Sequence, residues 1–292
     1  MTTHQVRMDS PAAVARAERA GAGVTLGRIA ALAYGVVAYG AFLVAILYAI
    51  GFVGNWVVPK GIDSGTPGPL VPSLLINGLL LSAFVVQHTV MARPAFKRWI
   101  TRYVPRSIER STFVLAASSI LLVTFWQWRP LPQIVWSVEH PAAVWGLSAL
   151  SLLGWGIVLV SSFMVSHFDL FGLRQVWLNV VGRPYTPVGF RLVGLYRLVR
   201  HPLMLGFLIA FWATWRMSVG HLFFAVMTTL YIFMGTWLEE RDLVAEHGDA
   251  YRSYRRSVRG LVPLPKRRPR GGARPACPVH DQRVTDAACF RL

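Results

Sequence analysis

The chain has 292 residues, of which 54% are hydrophobic and only 15% charged, and its formal net charge is +17. Soluble domains carry about 25% charged residues, so the polar surface needed to hold this chain in water is missing. The Lys and Arg excess lies in stretches between apolar runs, not on one soluble face, which sets nucleic acid aside as a partner and fits a lipid bilayer.

In chain order, residues 1–25 are polar and mildly basic, without the short apolar core and cleavage site of a signal peptide. Apolar runs follow at 26–53, 70–90, 111–126, 142–165, 203–215 and 221–238. A bilayer crossing takes about 20 apolar residues. The expected fold is therefore all-α, a polytopic membrane helical bundle of about six spans with cytoplasmic connecting helices. The run at 203–215 is short, so it either tilts or begins earlier, within 193–199. A single membrane domain is expected over 26–265, with a basic tail at 266–292 whose Arg, Pro and Gly content predicts disorder.

The loop charges alternate. Arg93, Lys97, Arg98, Arg102, Arg106 and Arg110 follow the second run, and Arg174, Arg183, Arg191, Arg197 and Arg200 follow the fourth. The intervening loops hold little beyond Lys60, Asp63, Arg129, Glu139 and Arg216. This alternation predicts both termini in the cytoplasm, with Trp56, Trp126, Trp128 and Trp136 as interfacial aromatics on the other side.

Two clusters stand at the mouths of the last two apolar runs. Arg200-His201-Pro202 opens the first of them. Pro suits the first helical position, which puts His201 at the N-cap. The free N–H groups and helix dipole there, with Arg197 and Arg200 alongside, favour an anion. The same residues also serve as ordinary lipid-phosphate anchors. Glu239-Glu240-Arg241-Asp242 closes the second run. Carboxylates near a membrane are costly unless paired or functional. This pair reads either as a salt-bridged helix end or as a site for an ammonium group or sugar hydroxyls. A hairpin of helices brings the two clusters together, so one polar pocket for a cationic or zwitterionic ligand is expected.

A third cluster lies just past the fourth run: His167, Asp169, Gly172, Arg174 and Gln175. A cytoplasmic loop tolerates all of these without function. The functional reading is an acid/base or substrate-gripping loop that turns at Gly172 and closes over the pocket. His88, beside Gln87 in the second run, reads as a satisfied core histidine or as a further polar site. Cys277, His280 and Cys289 lack a fourth ligand, so no metal site is expected. Cys289-Phe-Arg-Leu292 has prenylation-box spacing with an ill-fitting Arg.

The set Gly194-Leu-Tyr196-Arg197, Arg200-His201-Pro202, Glu239-Glu240, Leu243, Gly248, Tyr251, Tyr254 and Pro263 resembles the isoprenylcysteine carboxyl methyltransferase-like membrane methyltransferases. Within that group, Ser166–Val176 and Arg200–Phe207 look most like the methanethiol S-methyltransferases. The likeness covers about residues 70–265. It implies S-adenosyl-L-methionine as cofactor, bound by Tyr196, Arg197, Arg200, His201, Pro202, Glu239 or Glu240, and Leu243. It implies methylation of a small thiol, methanethiol, to dimethyl sulfide. On that chemistry His167 or Asp169 takes the thiol proton, or an Arg such as Arg174 stabilises the thiolate. Leu195 stands where the group has Pro, Met204 where it has Tyr, and His247 where it has Phe. Two alternatives are a methyltransferase of the same fold acting on a prenylcysteine, another lipid-like acceptor or another small thiol, and a non-catalytic transport or assembly protein. The oligomeric state is left open.

Overall fold

In the computed structural model the described residues are 25–188 and 193–262. The N-terminal 24 residues, 189–192 and everything from Pro263 onward, including Cys277, His280 and Cys289, lie outside them. The elements are α1 (Leu26–Gly54), α2 (Leu70–Ala92), α3 (Pro94–Ile100), α4 (Glu109–Gln127), β1 (Ile134–Ser137), α5 (Pro141–Val165), α6 (His167–Leu170), α7 (Leu173–Val180), α8 (Pro202–Trp212), β2 (Arg216–Ser218) and α9 (Val219–Ser257). A 3₁₀ turn, Gly194–Arg197, precedes α8.

Among the described residues four helices are long and apolar enough to cross a membrane: α1, α2, α5 and the first 27 residues of α9, Val219–Ala245. Their outward faces are Leu, Val, Phe and Trp, as an integral membrane protein requires. The other two expected spans differ in kind. Helix α4 carries Glu109 and Arg110 in its first turn, with Arg110 buried. Helix α8 has 11 residues, about 16 Å of rise, roughly half of a hydrocarbon core. It begins at Pro202, not within 193–199. Gly194, at φ 49°, and the 3₁₀ turn after it occupy that stretch instead.

Helix α8 is held by close backbone approach. A Cβ on Gly154 of α5 would stand 2.6 Å from the Ala210 nitrogen and 2.7 Å from the Gly206 oxygen. A Cβ on Gly206 would stand 2.7 Å from the Gly154 oxygen. Where lipid tails are as apolar as Leu, small residues that let helices touch drive association. Ser151 Oγ adds a 3.0 Å bond to the Ala210 carbonyl. The central core is aromatic, with Phe52, Phe125, Trp128, Phe211 and Phe224 buried together. Trp128 is thus a core residue, fully buried edge-on to Phe52 and Phe224, while Trp56, Trp126 and Trp136 are exposed.

The link between α8 and α9 is not a plain loop. β2 pairs antiparallel with β1 and closes that end of the bundle. Asn77 there donates to the Arg129 carbonyl and accepts from the Arg129 N–H, each at 2.8 Å. Asn55 donates to Asp63, and Ser218 donates to the same carboxylate.

Helix α9 is broken at Gly248, where φ is 53° and ψ −125°. Only glycine adopts such a conformation cheaply. Fifteen residues of unbroken helix would separate Glu240 from Arg255 by about 22 Å. Instead Arg255 Nη1 lies 3.9 Å from Glu240 Oε2. The segment after the break therefore folds back over the carboxylates. It then runs beside the entrance of α8: Arg200 N donates to the Arg259 carbonyl at 2.8 Å and His201 N to the Gly260 carbonyl at 3.1 Å.

Candidate active site

The entrance of α8 and the carboxylates of α9 meet. His201 is the N-cap of α8, with Pro202 at the first helical position. Its Nε2 lies 3.1 Å from Glu240 Oε1 and its Nδ1 3.5 Å from Glu239 Oε2. Arg200 donates to Glu240 Oε1 through Nε at 2.7 Å and approaches it through Nη2 at 2.6 Å. Arg200 Nη1 also donates to the Arg255 carbonyl at 3.2 Å and to the Val258 carbonyl. Two carboxylates, one guanidinium and an imidazole thus converge with little exposure, Arg200 at 11% and Glu240 at 17% of the side chain, while the half-exposed Arg255 guanidinium approaches from outside. Such a group of charges forfeits hydration that only close pairing returns.

An aromatic floor lies beneath these charges. Leu243, Tyr251 and Tyr254 are buried against one another, and the Tyr254 hydroxyl donates to the Tyr196 carbonyl at 2.7 Å. Burial pushes the Tyr196, Tyr251 and Tyr254 phenols up, so all three stay neutral donors. Of the cofactor-site residues expected from sequence, Tyr196, Arg200, His201, Pro202, Glu239, Glu240 and Leu243 fall in this cluster. Arg197 ends the 3₁₀ turn on an exposed face. Sequence reasoning missed Arg255 and the backbone at Val258–Gly260. Their one sequence sign was Gly248, a lone glycine inside a helical pattern.

The His167 loop forms a second cluster. Ser166, at φ 149°, ends α5 and Gly172, at φ 89°, begins α7. A Cβ on Gly172 would meet Ser111 Oγ at 2.7 Å, so the turn needs glycine for space as well as for conformation. His167 is buried with both ring nitrogens engaged, Nε2 with the Tyr39 hydroxyl at 2.9 Å and Nδ1 with Ser162 Oγ at 2.8 Å. Phe163 stacks on it at 4.2 Å. Burial lowers its pKa, which keeps the imidazole neutral.

Asp169 accepts from Arg174 Nη1 at 2.9 Å, from the Tyr185 hydroxyl at 3.1 Å and from Gln175 Nε2 at 3.4 Å. Arg174 also donates to the Thr186 carbonyl at 2.7 Å. Burial first, then the Asp169 carboxylate, pushes the Tyr185 phenol up, and Arg110 of α4 is near enough to oppose this. Gln175 Oε1 and Ser111 Oγ are buried polar atoms without a hydrogen-bond partner among the described residues.

His88 and Tyr231 lie between the two clusters. His88 Nδ1 and the Tyr231 hydroxyl share a 2.8 Å hydrogen bond. The Phe113 ring stands 5.0 Å from His88, and Arg110 lies over that ring at 5.8 Å. The α2 end is tied to α9 by Arg93–Asp242 at 2.7 Å.

No family model matches the chain, and neither does any solved structure. Among proteins of known name, the methanethiol S-methyltransferase of Mycobacterium tuberculosis is 54% identical over 240 residues, 82% of this chain and 98% of that protein. Methanethiol S-methyltransferase 2 of Bradyrhizobium diazoefficiens is 54% identical over 236 residues, 81% of this chain and 91% of that protein. Nurim of Bos taurus is 29% identical over 182 residues, 60% of this chain and 69% of that protein. The Mycobacterium match runs nearly end to end along a protein whose shared segment includes most of the helical bundle, and on that ground the chain belongs to the methanethiol S-methyltransferase family.

Proposed function

We propose that this integral membrane protein transfers a methyl group from S-adenosyl-L-methionine to methanethiol, releasing dimethyl sulfide. The names of the relatives support the reaction and the acceptor. The observation that carries the donor is the meeting of Arg200 and His201 with Glu239 and Glu240.

The donor set fits S-adenosyl-L-methionine. Its amino-acid end is a zwitterion, whose ammonium suits Glu239 or Glu240 and whose carboxylate suits Arg200, Arg255 or the first turn of α8. Its adenosine end needs a flat apolar wall, which Leu243, Pro202, Tyr196, Tyr251 and Tyr254 offer. Arg197 adds positive charge at the rim. Bound there, the group supplies a methyl carbon on a positively charged sulfur.

The protein's own part is to hold the partners dry and aligned. Thiolate and sulfonium charges cancel during transfer, so a water-poor site favours the transition state. Asp169, clamped by Arg174, Gln175 and Tyr185, fixes the loop on the acceptor side, and His167 pins that loop to α1 and α5 through Tyr39 and Ser162. In this reading Asp169, Arg174 and His167 position the acceptor. A single domain over 26–265 carries the reaction. The alternation of loop charges supports six membrane-associated helices with the clusters and both termini on the cytoplasmic side.

The test is direct. Membranes holding the full chain, given methanethiol and S-adenosyl-L-methionine, are expected to release dimethyl sulfide into the head space. No sulfide above a boiled control rejects the reading. Calorimetric titration of the purified protein with S-adenosyl-L-methionine separates loss of binding from loss of turnover.

A further inference from the structure

Methyl transfer from a sulfonium to a thiol needs a thiolate, and the thiol proton must go somewhere. The charged groups already described are engaged. Asp169 accepts from three donors and both nitrogens of His167 are bonded within the fold. Glu239 and Glu240 face His201 and Arg200. His88 is different. It stands inside a span, where an ionisable residue is costly and functional by default. Among the described residues it holds a polar bond through Nδ1 to Tyr231 and meets the rings of Phe84 at 5.3 Å and Phe113 at 5.0 Å. It also lies between the two clusters. Tyr231 sits two helical turns before Glu239 on α9, and Phe113 and Arg110 lead from His88 to the Asp169–Tyr185 side.

We propose that His88 is the general base that deprotonates the thiol, with Tyr231 as its positioning partner; this rests on the methyl-transfer reading above. Nδ1 carries the resting proton and donates it to the Tyr231 oxygen, leaving the lone pair on Nε2. Nε2 takes the proton from the thiol sulfur and the ring becomes imidazolium. The thiolate sulfur then attacks the methyl carbon; that S–C bond forms as the sulfonium C–S bond breaks, its electron pair staying on the departing sulfur. The proton leaves His88 for water after the sulfide departs. Arg110, one ring away, favours the anion on the thiol and opposes lasting charge on His88. The rings of Phe84, Phe113 and Tyr231 around His88 offer apolar contact to a small thiol.

The experiment compares two acceptors in the full-length protein. Methanethiol must lose a proton, whereas methaneselenol is already ionised at neutral pH. His88→Gln is expected to cut kcat with methanethiol by about 100-fold, the usual size of a lost general base. It should leave calorimetric affinity for S-adenosyl-L-methionine unchanged and methaneselenol turnover within a few-fold of the natural protein. Tyr231→Phe should show the same pattern at about a tenth of that effect. Equal loss with both acceptors, or full activity of His88→Gln on methanethiol, overturns the proposal. If the unaltered protein methylates neither acceptor, the methyl-transfer reading fails first and this one with it.

Discussion

The two ends of the bundle handle polar residues in opposite ways. At the β1–β2 end, Asn77 is matched donor for acceptor by the Arg129 backbone, and Asp63 by Asn55 and Ser218. These bonds are few, and they join neutral groups to one another or to a single carboxylate. At the other end Arg200, His201, Glu239, Glu240 and Arg255 crowd several full charges into one place. The first pattern closes a fold. The second costs hydration that stability alone does not call for, which is what a ligand site looks like.

The comparison can be broken at its charged end. Glu240→Ala leaves Arg200 buried without its carboxylate. Calorimetry is expected to show S-adenosyl-L-methionine binding weakened at least about 100-fold, and thermal unfolding a loss of about 3 kcal/mol. Binding within a few-fold of normal would show that the converging charges are structural. A smaller effect belongs to the loop. Asp169→Asn keeps the shape but weakens the clamp on Arg174, so turnover should fall about 10-fold at unchanged cofactor affinity. Full turnover would remove Asp169 from the acceptor side.

The closed end should answer differently. Asn77→Ala orphans the Arg129 N–H and is expected to cost about 1–2 kcal/mol in unfolding experiments, while activity per folded molecule stays unchanged. Lost activity without lost stability would erase the contrast between the ends. The smallest effect concerns His167. Its pKa is lowered in the folded protein, so the unfolded chain binds more protons once pH drops through about 6.5. Stability is therefore full above that pH and declines as pH falls below it. His167→Gln should flatten this decline, read from melting temperatures at a series of pH values.

The apolar runs, the helix start at Pro202 and the pairing of the α8 entrance with Glu239–Glu240 were all legible in the sequence. Each follows from a strong local signal, whether hydropathy, proline or paired charge. The depth of α8 was not legible. An 11-residue helix lodged against Gly154 depends on a contact with a segment about fifty residues away. Trp128 read as interfacial because a Trp beside an apolar run usually is; only the packing of Phe52 and Phe224 makes it core. Arg255 was invisible for a related reason. Its role depends on a reversal at Gly248, and a lone glycine in a helix states a weakness without a direction. The partners of His167 and His88 were likewise beyond reach, since Tyr39, Ser162 and Tyr231 acquire meaning only through helix adjacency.

The reversal at Gly248 also sets an order of assembly during synthesis. Arg255 and the backbone of 258–260 leave the ribosome after α1, α2, α5 and the apolar part of α9, Val219–Ala245. Until they dock beside Arg200 and His201, the carboxylates of α9 lack part of their counter-charge. The bundle is thus inserted first, and the clasp over its charged end is fastened last.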